Sequence, residues 1–90
     1  EMIAAFNIVL EKAKYDPGAN FFLNLNECKF KSFKIAEKAG LTLEQQQSLI
    51  TLQNEGERIY FLIEHLKKLA IEMDEKESMR QIMQNDGYLN

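Results

Sequence analysis

The sequence predicts an all-α protein, a four-helix bundle with three shorter helices packed on a long C-terminal helix. Apolar residues recur at three- and four-residue steps through most of the chain, which is the period of a helix with one buried face. The single proline and the four glycines fall near the ends of these periodic segments. Ninety residues, of which 46% are hydrophobic, are enough for one domain with a thin core.

The first predicted helix covers residues 2–15. Its apolar positions share one face and are Ile3, Phe6, Val9, Leu10 and Ala13. Pro17 lacks an amide hydrogen and Gly18 favours turn conformations, so we expect residues 16–20 to form a loop.

The next segment, residues 21–26, fits two alternatives. It is either a short extended piece or a helical turn that buries Phe22 and Leu25, and we treat it as irregular. A second helix is predicted from about Glu27 to Ala39. Gly40 then stands where a left-handed C-terminal cap is expected.

The third predicted helix runs from Leu43 to about Gln53 and has a clear start signal. Thr42 and Gln45 have the spacing of a capping box, in which each side chain bonds the other residue's backbone amide. The apolar residues of this helix are Leu49, Ile50 and Leu52.

The long fourth helix is predicted to begin after Asn54, a good N-cap, with Glu57 near the positive end of the helix dipole. The spine of the bundle is expected to be Ile59, Leu62, Ile63, Leu66 and Leu69. The helix should reach about Gln84 and close at residues 86–87. Residues 74–78 include no apolar side chain, so a bend or a change of packing partner is expected there.

Charge and composition restrict the classes of function. The net charge is -3, with the acidic excess after residue 53, and this balance disfavours nucleic acid as a partner. The longest apolar run covers residues 59–63, far short of the roughly 20 residues of a membrane-spanning helix. Cys28 stands alone, which is typical of a reducing compartment and of a small core thiol. We therefore expect a soluble, cytoplasmic protein.

No catalytic, cofactor or metal site is indicated by the sequence. His65 is the only histidine and has no second histidine or cysteine at ligand spacing, so a surface or half-buried helical position is expected for it. None of the three serines lies in a strained glycine-flanked turn, and no glycine-rich phosphate loop is present. We expect the protein not to be an enzyme.

A basic and aromatic cluster around residues 29–38 allows two interpretations. Its members are Lys29, Phe30, Lys31, Phe33, Lys34 and Lys38. Such interleaving can hold a single-stranded nucleic acid. On a helix, however, the two phenylalanines point away from most of the lysines, which favours core phenylalanines beside a solvated lysine face.

Aromatic residues exceed what a thin core readily buries. Phe21, Phe22, Tyr60 and Phe61 are candidates for a protein-binding surface, because Tyr60 and Phe61 lie beside the main apolar stripe. The alternative is that Phe21 and Phe22 fold back over the helices and that Tyr60 covers the edge of the core.

Five segments of the chain stand in a recognisable order. They are SFKIAEKAG (32–40), LTLEQ (41–45), LQNE (52–55) with Arg58 after it, LIEHLKK (62–68) and NDGY (85–88). In this order the chain resembles the end of stand-alone proteins built on the Lon protease N-terminal, substrate-binding domain, in the form found in Bacteroidetes-type bacteria.

The resemblance implies a C-terminal helical subdomain that in the family follows a β-rich, PUA-like half. The 90 residues would then be one helical subdomain of a longer bacterial chain. In full Lon proteases this domain helps to recognise substrates and precedes an ATPase module and a Ser-Lys peptidase, which have no counterpart in this sequence. The family therefore supplies no catalytic residues. Where it usually has a proline after the Lys-Lys pair, this chain has Ile71, which favours an unbroken helix.

Two functions follow as expectations. The leading one is non-catalytic binding of a protein or an unfolded polypeptide through Phe21, Phe22, Tyr60 or Phe61. The second is a structural role, in which the long helix pairs with its copy to form a homodimer. Binding of nucleic acid through the lysine cluster is a weaker third possibility.

Overall fold

Five helices make up the protein. The computed structural model describes the backbone of residues 1–86 and the side chains of residues 1–84. The helices are α1 (Met2–Ala13), α2 (Ala19–Glu27), α3 (Lys31–Ala36), α4 (Leu43–Thr51) and α5 (Glu55–Asp86). They account for 79% of the described residues, which contain no strand, so the predicted all-α class is confirmed. The long C-terminal helix has four shorter partners, one more than expected.

The first helix lies along α5 and runs in the same direction. Glu1 pairs with Lys67 at 3.3 Å, and Lys12 pairs with Asp74 at 2.6 Å. Between these two ion pairs, α1 turns Met2, Phe6 and Val9 into the core. The α1–α5 pair is therefore the frame on which the other helices pack.

The segment left irregular in the prediction is helical. Residues 21–26 belong to α2, which buries Phe21 and Leu25 one turn apart and leaves Phe22 half-buried. No side chain caps the N-terminus of α2. Its stability comes from this tertiary burial, because a helix of about two turns is marginal on its own.

The second predicted helix is shorter than expected and begins later. Cys28 and Phe30 are extended, so α2 and α3 are separate helices. The prediction that Phe30 and Phe33 are core residues was wrong, because they are 43% and 40% exposed. Ile35 and Ala39 fill the core instead. Cys28, expected as a core thiol, is half-buried.

The fifth helix continues without interruption from Glu55 to Asp86. Within the predicted spine, Leu62 and Leu66 are fully buried, while Ile59, Ile63 and Leu69 are half-buried and pack against the core. All side chains from Asp74 to Gln84 are exposed. The expected closing residue Gly87 and the last segment residue Tyr88 lie outside the described residues.

The shape of the molecule follows from α5. At about 1.5 Å per residue its 32 residues span about 48 Å, and the molecule measures 55 × 28 × 21 Å. Among residues 1–86, no helix is both long enough and apolar enough to traverse a lipid bilayer.

Candidate functional site

An open groove of about 860 Å³ lies between α4 and the first half of α5. One wall comes from α4, where Glu44 and Ser48 are four residues apart and so share a face, and from Leu52, the extended residue directly after α4. The other wall is a face of α5 that runs from residue 57 to residue 68 and includes Tyr60, Phe61, Glu64, His65 and Lys68. The large apolar and aromatic residues of the lining are Leu52, Tyr60 and Phe61, and most of its other residues are polar or charged.

The position of α4 is set first by its N-terminus. Gly40 has a φ of 68°, which lets the chain reverse after the turn that follows α3. Thr42 and Gln45 then form the predicted capping box. The amide of Gln45 donates to Oγ1 of Thr42 at 3.2 Å, and the amide of Thr42 donates to Oε1 of Gln45 at 2.8 Å. Leu49 of α4 is buried and anchors this helix to the core.

Two side chains of α5 hold the chain on either side of α4. The His65 Nε2 lies 2.8 Å from the carbonyl oxygen of Ala39, which precedes α4. Arg58 donates from Nη1 to the carbonyl oxygen of Leu52, directly after α4, at 2.9 Å. Because residues seven apart share one face of a helix, α5 holds both flanks of α4 from the same side. We call these two bonds the α4 clamps.

Asn54 begins α5 as the sequence predicts. Its side-chain oxygen accepts a hydrogen bond from the amide of Glu57 at 2.8 Å. The first turn of α5 therefore starts at a fixed point beside the end of α4, and it presents Glu57 to the groove.

Glu55 joins α3 to α5 behind the groove. Its carboxylate accepts hydrogen bonds from the amide and the hydroxyl of Ser32, near the N-terminus of α3, and from Nε of Arg58. Ser32 is fully buried and Arg58 is 7% exposed. This acidic side chain thus supplies the N-terminal cap that the sequence near α3 does not contain.

The protonation state of Glu55 follows from its contacts. Burial raises the pKa of the Glu55 carboxyl group, but the hydrogen bonds from Ser32 and Arg58, together with the Arg58 charge, outweigh burial. The net pKa lies below its usual value, so Glu55 is ionised at neutral pH.

The Arg58 guanidinium lies near two aromatic rings. Its central carbon is 5.3 Å from the ring centre of Phe30 and 4.8 Å from that of Phe33. These distances fit cation–π contacts with both rings. The two phenylalanines are therefore half-exposed because they cover a buried arginine.

The lysines of the basic and aromatic cluster have local partners. Lys34 forms an ion pair with Glu37 at 3.2 Å and lies 5.5 Å from the ring centre of Phe21. Lys31 donates to the carbonyl oxygen of Cys28, and Lys38 lies 6.0 Å from the ring centre of Tyr15. These side chains cover neighbouring surface as well as facing solvent.

The four candidate binding residues do not form one surface. Tyr60 and Phe61 both line the groove, where Tyr60 is 66% exposed and Phe61 is half-buried. Phe21 instead lies in the core, 5.7 Å from Phe6 between ring centres, and Phe22 packs edge-on against Phe21. The structure therefore brings together the pair on α5 and separates it from the pair on α2.

Several residues of the groove were not expected from the sequence. The sequence predicts Leu52 only as one of the apolar residues of the third helix, and it indicates no binding role for Glu44, Glu57 and Glu64. The four-residue spacing of Glu44 and Ser48 is a usable signal for the α4 wall. The α4 clamps had no local signal, because each bond joins a side chain of α5 to a carbonyl group before or after α4.

The side chains that could bind a metal do not cluster in the described part of the chain. Among those residues, no three His, Cys, Asp or Glu side chains lie close enough together to hold a metal ion. His65 is half-buried, as expected, and its Nε2 is engaged with Ala39.

Comparison of the chain with family models, with curated proteins and with solved structures finds no match.

Proposed function

We propose that this chain is a non-catalytic protein-binding module that holds a segment of another polypeptide in the groove between α4 and α5. The observation that carries the proposal is the exposed ring of Tyr60, which lines an open groove together with Phe61 and Leu52. Tyrosine is common among residues that dominate binding energy, because its ring offers a large and rigid contact.

The polar groups of the groove favour binding over catalysis. Ser48 and His65 are the nearest to a nucleophile and a base, but the Nε2 atom of His65 is already bonded to the Ala39 carbonyl. A serine needs a base within hydrogen-bonding reach to act as a nucleophile. No hydrogen bond joins Ser48 to His65 among the described residues.

The resemblance to the Lon N-terminal, substrate-binding domain supports the same kind of function. The proposal accordingly treats the chain as the C-terminal helical subdomain of a Lon-N-like bacterial protein that acts in the cytoplasm. A free, half-buried Cys28 is compatible with a reducing compartment.

Replacement of Tyr60 tests the proposal. We expect Tyr60→Ser to weaken the binding of an unfolded, alkylated polypeptide or of short apolar peptides by about 5- to 30-fold, the range for an important interface residue. Fluorescence polarisation with labelled peptides would measure the affinity. Phe61→Ala should also weaken binding, with circular dichroism used to check that the helices remain.

Ile50→Ser is the matched control. Ile50 is 69% exposed, close to the 66% of Tyr60, but it lies on α4 outside the groove lining. Its replacement should leave the affinity unchanged. Equal effects of the two replacements, or peptide binding that neither variant alters, would exclude the groove as the binding site.

A second candidate function is self-association through the second half of α5. Four large apolar side chains, Ile71, Met79, Ile82 and Met83, are exposed there. In this alternative, the chain is a structural module that pairs with its own copy and has no ligand of its own.

A further inference from the structure

We infer that the occupant of the α4–α5 groove is a basic amphipathic helix. This inference rests on the proposed function and names the class of partner. It follows from the charge around the groove, from the architecture of its walls and from its length.

The charge around the groove is negative. Three glutamates, Glu44, Glu57 and Glu64, line it together with a single lysine, Lys68. In the described part of the chain, none of these four residues is found in an ion pair. Glu64 accepts only a long hydrogen bond, of 3.4 Å, from the Tyr60 hydroxyl. Lysine or arginine side chains of a partner would meet three carboxylates that form no ion pair within the described residues, against a single lysine.

The positive ends of two helix dipoles do not reverse this preference. The first turns of α4 and α5 both reach the groove, but their caps Thr42 and Asn54 already accept from the amides of Gln45 and Glu57. Glu44 and Glu57 stand in those same turns. An anionic partner would therefore find one amide of each first turn already bonded and would face the two carboxylates.

The walls favour a helix over an extended peptide. One common way for an extended peptide to gain affinity is to add to the edge of a sheet, and residues 1–86 contain no strand. A helix satisfies its own backbone hydrogen bonds and needs only an apolar face to fit between two other helices. Leu52, Tyr60 and Phe61 provide the apolar contact for that face.

The length of the groove sets the size of the partner. Its α5 wall runs from residue 57 to residue 68, a rise of about 16 Å at 1.5 Å per residue. A partner helix of about three turns covers this distance. Apolar residues at positions i, i+4, i+7 and i+11 would face the groove, with basic residues beside them.

Three designed peptides test the inference. Each has 18 residues, and the first carries leucines at helical spacing with lysines at the remaining positions. The second has glutamate in place of every lysine, and the third contains the residues of the first in an order without helical periodicity. We expect only the first to bind tightly in fluorescence polarisation, and we expect its affinity to fall as salt is added.

Variants of the protein locate the binding. Replacing Glu44, Glu57 and Glu64 together by glutamine should lower the affinity for the basic peptide about tenfold, since each exposed charge contributes modestly. The control replaces Glu27, Glu72 and Glu75 by glutamine, which changes the net charge equally at exposed positions away from the groove lining. The control should bind as the unmodified chain does.

The outcomes separate this inference from the proposed function. If the acidic peptide binds as well as the basic one and Tyr60→Ser weakens both, the groove binds peptides but the preference for a basic partner is wrong. If the scrambled basic peptide binds equally, the helical partner is wrong. If none of the peptides binds in a Tyr60-dependent way, the proposed function fails as well.

Discussion

Glu55 is the residue on which two helices depend. It contacts Ser32 in α3 and Arg58 in α5, and these partners are almost fully buried. Removing one member of a buried, charged hydrogen-bond network leaves the others without a partner, which costs about 1–3 kcal/mol.

We expect Glu55→Gln to lower the free energy of unfolding by about 1–3 kcal/mol. The matched control is Glu57→Gln, which removes a charge from the same first turn of α5 and so has a similar effect on the helix dipole. The free energy of unfolding of the control variant, measured by urea denaturation, should fall by less than about 0.5 kcal/mol. Equal losses would mean that the contacts of Glu55 with Ser32 and Arg58 contribute nothing.

The lowered pKa of Glu55 makes this stabilisation depend on pH. A carboxyl group with a lower pKa in the folded state stabilises the fold above its unfolded pKa, and the effect is lost as pH falls through the folded pKa. The stability difference between the natural chain and Glu55→Gln should therefore shrink as the solution is acidified below about pH 4, near the unfolded pKa of glutamate. A difference that persists at low pH would contradict this account.

At the scale of single helices, local signals determined what the sequence could predict. The starts of α4 and α5 were predicted correctly, because Thr42, Gln45 and Asn54 act within three residues of their amides. The start of α3 was not, because its cap is a carboxylate 23 residues further along the chain. α2 was missed because its helix depends on burial of Phe21 and Leu25, not on a cap.

Two glycines permit a matched test of helix boundaries. Gly40 has a φ of 68°, and an added Cβ would meet only Leu69 at 4.0 Å, so its cost would be conformational and not steric. We expect Gly40→Ala to lower the free energy of unfolding by about 1 kcal/mol. Gly56 is in the first turn of α5, where alanine is the better helix former.

Gly56→Ala should therefore raise the stability by up to about 0.5–1 kcal/mol. Its added Cβ would meet the Asn54 side-chain oxygen at 3.4 Å. Chemical denaturation of both variants would measure the two shifts. If both variants were destabilised to the same extent, the left-handed backbone at Gly40 would not explain why glycine is needed at that position.

At the scale of the whole molecule, α5 extends beyond the part that the other helices cover. The predicted helix end near Gln84 agrees with the observed helix, which continues to Asp86, and the stretch 74–78 does not interrupt it. Part of the hydrophobic content of the chain is accordingly found on the surface, including the second half of α5. Exposed apolar residues are common one at a time, so only their grouping on one helix suggests a partner.

Self-association through this part of α5 predicts a dimer at high protein concentration. Ile82→Lys should shift the mass measured by light scattering towards the monomer, because it introduces a charge into the pairing face. Ile50→Lys, at a similarly exposed position on α4, should not. A monomer at every concentration would remove this second function.

The candidate site was predicted only in part for a related reason. Tyr60 and Phe61 could be singled out because they lie beside the apolar stripe of one helix, and both line the groove. Phe21 and Phe22 are surplus aromatic residues of the same kind in the sequence, but Phe21 is buried in the core. A sequence pattern identifies surplus aromatic residues, whereas the packing of several helices decides which of them reach the surface.

The α4 clamps have a consequence for how the groove would select its partners. His65 and Arg58 belong to one continuous helix, so widening the groove would require breaking the bonds to Ala39 or Leu52. A receptor held in this way is already in its bound shape, and the entropy lost on association falls mainly on the incoming chain. Partners that are helical before they arrive would then be favoured over those that must fold on the surface.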